Sequence, residues 1–277
     1  NLADAASWKY ALKPDEAEPV TLGRLWKIRQ IGEAFNMATP LGTMGGEPLK
    51  AQLLKENYGF SLKQSISSLV VSRTTNLLGL VLFLIIGVIL ILPAENITIT
   101  FKTTALMGLS VFSILILLFL FFQIQGGLRT LANWATKFPF GNTIKHSLDH
   151  LEILSHQMAT YYKKNPMRCL ESVLYSLVGW VMGILELYLT LLFLGQTLSF
   201  TDLWVIEALV QLIKVGSFFI PLSLGALESG FVLIFAAMGM SQNLGLAVSF
   251  VRRIKEMTWI ALGLGMSGTV ALKLKAD

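Results

Sequence analysis

Charge is what this sequence has least of. Lys, Arg, Asp and Glu make up 14% of its 277 residues, where water-soluble domains carry about 25%. Such a chain lacks the surface it would need to dissolve, which excludes an ordinary soluble enzyme or binding module. Cysteine is nearly absent too: the single Cys169 excludes an intrachain disulfide framework and any multi-cysteine metal site. Its plain role is that of a small apolar residue near a helix start. Segments of alternating polarity about ten residues long, the mark of an outer-membrane barrel, are missing as well. So are a P-loop, a Gly-x-Ser-x-Gly elbow and a dinucleotide fingerprint.

What is present is apolar. Hydrophobic residues make up 54% of the chain, mean hydropathy is +0.64, and several runs reach the roughly 20 residues that span a bilayer as a helix. The expectation is an all-α, polytopic integral membrane bundle. The net charge of +5 and isoelectric point near 9.3 do not point to nucleic acid, because the basic residues sit in loops flanking apolar spans. Cytoplasmic loops facing anionic headgroups have this pattern.

Spans are expected over about Ser68 to Leu92, Phe101 to Gln123 and Cys169 to Leu194, with a last helix from about Asn243 to Leu272. Trp8 and Tyr10, beside Lys9 and Lys13, read as interfacial aromatics, and 14–19 reads as acidic and extended. The chain begins without Met or a signal peptide, so N-terminal helices are expected to precede it. Residues 126–168 hold Arg129, Lys137, Lys145, Lys163, Lys164 and Arg168, and Ile144, Leu148, Leu151, Leu154 and Met158 recur at helical spacing. That predicts a cytoplasmic segment with an amphipathic helix. His146 and His150 stand four apart within it, but without the HExxH glutamate a solvated helix face outweighs a metal site. No metal and no cofactor is expected.

Two stretches share one punctuation. Pro40-Leu41 leads through Gly45 and Gly46 to Glu47, and Pro221-Leu222 leads through Gly225 to Glu228; each Glu lies seven residues after its Pro. Pro and Gly mark a break between short helices. The first stretch, Leu22 to Glu56, is too polar for an ordinary span: a surface amphipathic hairpin and a re-entrant pair of half-helices both suit it. Topology bears on the second. With 126–168 inside, the span ending near Leu194 puts the chain outside. Lys273 and Lys275 belong inside, so an odd number of crossings must follow. A hairpin over Asp202 to Met240 returning to the outer side, then one crossing, satisfies this. The same count places residues 1–66 inside, so the two breaks approach from opposite faces. An inverted repeat with discontinuous helices is the architecture that puts transporter sites at mid-membrane. The domain reading is one transmembrane unit, 1–277, with repeats over 1–125 and 169–277 joined by 126–168.

Carboxylates at membrane depth are costly and either pair with a base or face a polar pathway. Glu47 and Glu228 lead the candidates. Each could equally cap the half-helix that follows; their matched placing favours function. Free amides near Gly45 and Gly46 would suit an anionic headgroup. Lys50, Lys214, Arg252 and Arg253 are the candidate cations. Glu207, Gln211 and Lys214 form one helical stripe, and Arg252 and Glu256 are spaced for an i, i+4 pair. Glu186 stands alone in an apolar span, suited to a structural hydrogen bond or to a pathway. Gly179 and Gly183 make a small-xxx-small spacing that permits close packing.

These residues resemble a known family. Gly32-Glu33-Ala34-Phe35-Asn36, Pro40, and Gly45-Gly46-Glu47-Pro48-Leu49-Lys50 are similar to the first signature of the lysylphosphatidylglycerol synthase transmembrane (flippase-like) family. Pro221, Gly225-Ala226-Leu227-Glu228-Ser229-Gly230 and Arg252-Arg253 resemble its second. Trp8 to Leu12 looks like the end of an early helix of that family. Pro221-Leu222-Ser223-Leu224 departs from the glycine-rich run of many members. The resemblance implies a domain that moves lipids, such as aminoacylated phosphatidylglycerol, between leaflets of the inner membrane. It implies no aminoacyl transfer, an activity of a separate soluble domain in bifunctional members; no such domain is expected within these residues, and no catalytic residue is assigned. The lipid-contacting set is then Glu33, Asn36, Gly45, Gly46, Glu47, Lys50, Lys214, Pro221, Gly225, Glu228, Arg252 and Arg253. The partner is a membrane phospholipid or other polar lipid, with a second copy or lipid-synthesis enzymes as further candidates and no nucleic acid. Two other readings compete: a membrane-embedded headgroup transferase or hydrolase using Glu47 or Glu228 as general base, and a non-transporting scaffold.

Overall fold

The computed structural model describes residues 2–12, 20–38, 45–93, 99–124, 165–217 and 220–273. The Pro40 stretch, the 14–19 stretch, the 126–164 segment with its expected amphipathic helix and its histidines, and Lys275 lie outside them. Within the described residues the fold is all-helical: α1 (Leu2–Ala11), α2 (Leu22–Ala38), α3 (Gly46–Tyr58), α4 (Leu62–Ile91), α5 (Ile99–Ile124), α6 (Pro166–Phe193), α7 (Phe200–Gly216), a 3-10 turn (Pro221–Ser223), α8 (Ala226–Ala237) and α9 (Gln242–Lys273). Three of these helices, α4, α5 and α6, are long and apolar enough to cross a membrane, with mean hydropathies of 2.6, 2.7 and 1.8. This is an integral membrane protein.

The first span starts earlier than hydropathy suggests, at Leu62, because its first turn is polar yet well capped. The Ser61 side chain accepts from the Gln64 amide at 3.2 Å and Gln64 Oε1 accepts from the Ser61 amide at 2.7 Å, a reciprocal capping box. Just before it, Gly59 closes α3 with φ of 71°, a left-handed C-cap that glycine adopts without a Cβ clash. Pro166 opens α6 at a position where a missing amide costs nothing.

Two apolar cores hold the bundle. One gathers Phe83, Leu84, Leu187, Val205, Phe231 and Phe235 from α4, α6, α7 and α8. The other gathers Trp8, Leu25, Ile28, Leu54 and Leu69 from α1 to α4. Trp8 is therefore no interfacial aromatic: it is 2% exposed and its indole donates to Ser68 Oγ at 3.1 Å, because the α1 face that carries it packs onto α2 and α4. Tyr10 stacks on Tyr175 at 5.3 Å. The outside is greasy, as a bilayer requires: Val111, Leu115, Leu118 and Phe121 of α5 are all exposed. α1, α4 and α6 are joined by a buried hydroxyl chain. Ser172 Oγ lies 3.0 Å from Ser7 Oγ and 2.8 Å from Thr75 Oγ1, and Ser176 Oγ lies 2.8 Å from Ser7 Oγ. Such bonds substitute for the hydrophobic drive that is missing between helices in lipid.

α2 and α3 pack on each other, as do α7 and α8, and α9 lies along both α8 and α2. The lengths repeat: 17, 13 and 30 residues for α2, α3 and α4 against 17, 12 and 32 for α7, α8 and α9.

Candidate functional site: two ion-pair clusters

Glycine sets up the first cluster. A Cβ on Gly46 would lie 1.8 Å from the Gly32 carbonyl oxygen, and one on Gly32 would lie 2.4 Å from Lys50 Cγ. Only a bare backbone lets α2 and α3 come this close, and the Lys50 stem lies across the gap. Its ammonium, on a residue 3% exposed, donates to Glu33 Oε1 at 2.7 Å and Glu47 Oε1 at 2.9 Å. Asn36 completes the joint: its Oδ1 accepts the Gly46 amide at 2.7 Å, capping α3 from α2, and its Nδ2 donates to both glutamates at 3.4 Å. Arg73 of α4 also pairs with Glu47, and stands 3.7 Å from Glu33. Arg29 reaches Asp4 of α1 at 3.1 Å. A polar cavity of about 30 Å³ lies among Asp4, Arg29, Glu33, Glu47, Lys50 and Arg73, room for about one or two waters.

The second cluster lies around α9. Arg252 chelates Glu207 of α7 at 2.7 and 3.3 Å and sits 5.2 Å from the Phe231 ring centre. Gln211 donates to Glu207 at 2.9 Å. Arg252 does not take Glu256: that acid pairs with Arg253 at 2.9 Å, because the α9 face carrying Arg252 turns to α7. Arg253 holds the break itself. It donates to Glu228 Oε1 at 2.6 and 3.1 Å and to the Leu222 carbonyl at 2.8 Å. Leu222 and Ser223 have φ of 55° and 51°, a left-handed conformation that costs side-chain-bearing residues of order 1–3 kcal/mol each and that a glycine-rich run would adopt freely. Here the Arg253 guanidinium holds the turn where glycine is missing. Glu228 serves twice, since its Oε2 also accepts the Gly225 amide at 2.8 Å and caps α8.

The two clusters correspond. Arg73 is the twelfth residue of α4 and Arg253 the twelfth of α9. Each grips the acid in the first turn of the short helix before it, Glu47 or Glu228. On α6 they come close together: a Cβ on Gly179 would lie 3.0 Å from Asp4 Oδ1, and one on Gly183 would lie 3.2 Å from Glu207 Oε1. Four residues of helix rise about 6 Å. The small-xxx-small pair thus admits one carboxylate from each cluster, about one turn apart along α6.

Both signatures, their helical context and the near-complete span of the match decide the family. A scan against family models matches the lysylphosphatidylglycerol synthase TM region over residues 1–265. The chain belongs to the lysylphosphatidylglycerol synthase transmembrane family. No curated protein and no solved structure matches it. In this family member, Glu33, Asn36, Gly46, Glu47 and Lys50 converge on one joint, with Gly45 just before it. Gly225, Glu228 and Arg253 converge on another, where Pro221 opens the turn; Arg252, adjacent to Arg253 on α9, pairs with Glu207 of α7 instead. Lys214 is half-buried; its ammonium makes no hydrogen bond or ion pair among the described residues but lies within electrostatic reach of Glu207 and Arg252. The residues that composition and spacing left out of the set are Asp4, Arg29, Arg73, Glu186, Glu207, Lys255 and Glu256. Arg73 carried a signal, an arginine inside an apolar span, and the stripe from Glu207 to Gln211 marked one local partner; nothing local marked the partners that come from other helices.

Proposed function

We propose that this chain is a lipid translocase of the inner membrane, moving a lipid with an anionic or modified headgroup between leaflets. The observation that carries the reading is the correspondence just described: two ion-pair clusters, each joining a short-helix pair to a long helix. Ion pairs inside an apolar bundle are expensive and normally mark a pathway. In this reading α2–α3 and α7–α8 are re-entrant hairpins entering from opposite faces, and 1–125 and 169–277 are inverted repeats about 126–168. That segment and the C-terminus face the cytoplasm. The clusters meet beside Gly179 and Gly183, giving a headgroup a polar route across the middle while its acyl chains stay in the bilayer. Lys50, Lys214, Arg252 and Arg253 offer charge to the phosphate as Glu47 and Glu228 exchange partners. The partner is the lipid itself.

The test is reconstitution into liposomes carrying fluorescent lipids of several headgroups in one leaflet. The reading expects leaflet exchange faster than in protein-free vesicles for at least one headgroup. Exchange at the protein-free rate for every headgroup would refute it, and labelled-lipid products formed by the purified protein would favour the transferase or hydrolase reading instead.

A further inference from the structure

One ion pair stands out by its apolar surroundings, not by exposure alone, since Arg73 in the pair with Glu47 is 49% exposed. Glu186 of α6 and Lys255 of α9 pair through Oε2 and Nζ, yet their side chains remain 32% and 40% exposed. Their neighbours on the same outward faces are apolar and exposed: Met182, Leu185 and Leu189 on α6, Val251 and Ile254 on α9. A charged pair set in a lipid-facing apolar surface is costly unless it serves something polar that arrives there. α6 and α9 barely meet elsewhere. Behind the pair stands Arg252, 5% exposed, with its Nε 3.8 Å from Glu186 Oε1. The seam therefore shows a partly exposed cation in apolar surroundings, an acid shared between two cations, and a buried cation beyond it. An apolar cavity of about 410 Å³ opens between α6 and the start of α7, and Met182, one turn before Glu186, lines it with Leu185, Tyr188 and Phe200.

We infer that the α6–α9 seam is the site where a lipid phosphate docks sideways from the bilayer: it displaces Glu186 from Lys255, and one acyl chain of the same lipid takes the α6–α7 cavity. Lys255 is the first contact and Arg252 the next cation inward, so Glu186 competes with the ligand and holds the seam shut without it. This rests on the reading of the chain as lipid-handling but not on net transport.

Binding tests it separately from exchange. The purified full chain in detergent is titrated with phosphatidic acid or with diacylglycerol, which differ only in the phosphate, and bound lipid is counted by native mass spectrometry. The wild type should hold phosphatidic acid about tenfold more tightly, the order expected for hydrogen bonds to a charged group. Lys255→Ala should abolish that preference and Lys255→Arg should keep it. Glu186→Gln should strengthen it, whereas a merely structural salt bridge would weaken it. Glycerol 3-phosphate, which lacks chains, should not displace the lipid. A preference unchanged in Lys255→Ala, a loss in Glu186→Gln, or displacement by glycerol 3-phosphate would overturn the inference. So would a lipid-free dimer that Lys255→Ala converts to monomer, which would make the seam an interface between copies. Failure of leaflet exchange alongside the expected binding would sink the translocase reading and leave the docking site standing.

Discussion

Replacing Glu207 by Gln strips Arg252 of the carboxylate it chelates at 2.7 and 3.3 Å. Both residues are close to fully buried, at 4% and 5% exposed, so the guanidinium cannot turn to water. Breaking a buried pair by removing one partner costs about 3–5 kcal/mol. Here the lower end applies, because Glu186 at 3.8 Å and the Phe231 ring at 5.2 Å still offset the charge. A loss of about 3 kcal/mol corresponds to a melting temperature lower by about 6–12 °C at this chain size, read by heating the detergent-purified protein before size-exclusion chromatography. Glu207→Leu combined with Arg252→Met should lose far less than the two single losses added together, since removing both charges leaves neither stranded. A Glu207→Gln protein melting within a degree of wild type, or a double variant showing the full sum, would refute the mutual dependence of these charges.

Gly46→Ala drives a Cβ into the Gly32 carbonyl, 1.8 Å away, and should destabilise by about 1–3 kcal/mol. Gly23→Ala meets nothing within 4 Å and should stabilise by about 0.4–1 kcal/mol; the same melts decide both. Gly183→Leu occupies the space of Glu207 Oε1, 3.2 Å from an added Cβ, and should halt leaflet exchange, while Gly265→Leu, with open space around it, should leave exchange intact. For orientation, cysteines at Thr98 and Gln242 in a Cys169→Ala background should react with an impermeant maleimide from outside, and one at Asn142 should not; the reverse pattern would overturn the topology.

Apolar length made α4, α5 and α6 legible, since a helix of about 20 apolar residues matches the thickness of a bilayer. Pro221 and Gly225 made the break before α8 legible, and Gly45 with Gly46 marked the start of α3, because backbone chemistry is local. Pairing was not local. That Arg252 takes Glu207, 45 residues away, and that Lys255 takes Glu186, 69 away, depends on which helix faces which. Spacing along α9 favoured Glu256 for Arg252, and the fold gave Glu256 to Arg253 one position later. The spacing of Gly179 and Gly183 announced close contacts, and these occur, but that Gly183 admits a carboxylate from α7 depends on the fold. Trp8 beside Lys9 looked interfacial because α1 is too short to reveal which of its faces is packed.

The central claim is that the twin acids at the helix breaks serve lipid movement and do more than cap. The most direct measurement is the leaflet exchange rate of Glu47→Gln and Glu228→Gln in liposomes, each first shown to be monodisperse and helical. Gln keeps the size and a hydrogen-bond acceptor but removes the charge that Arg73 or Arg253 grips, leaving Arg73 with Glu33 at 3.7 Å and Arg253 with Glu256 at 2.9 Å. The account expects exchange to fall to the protein-free rate in both variants. Exchange equal to wild type in either would contradict it.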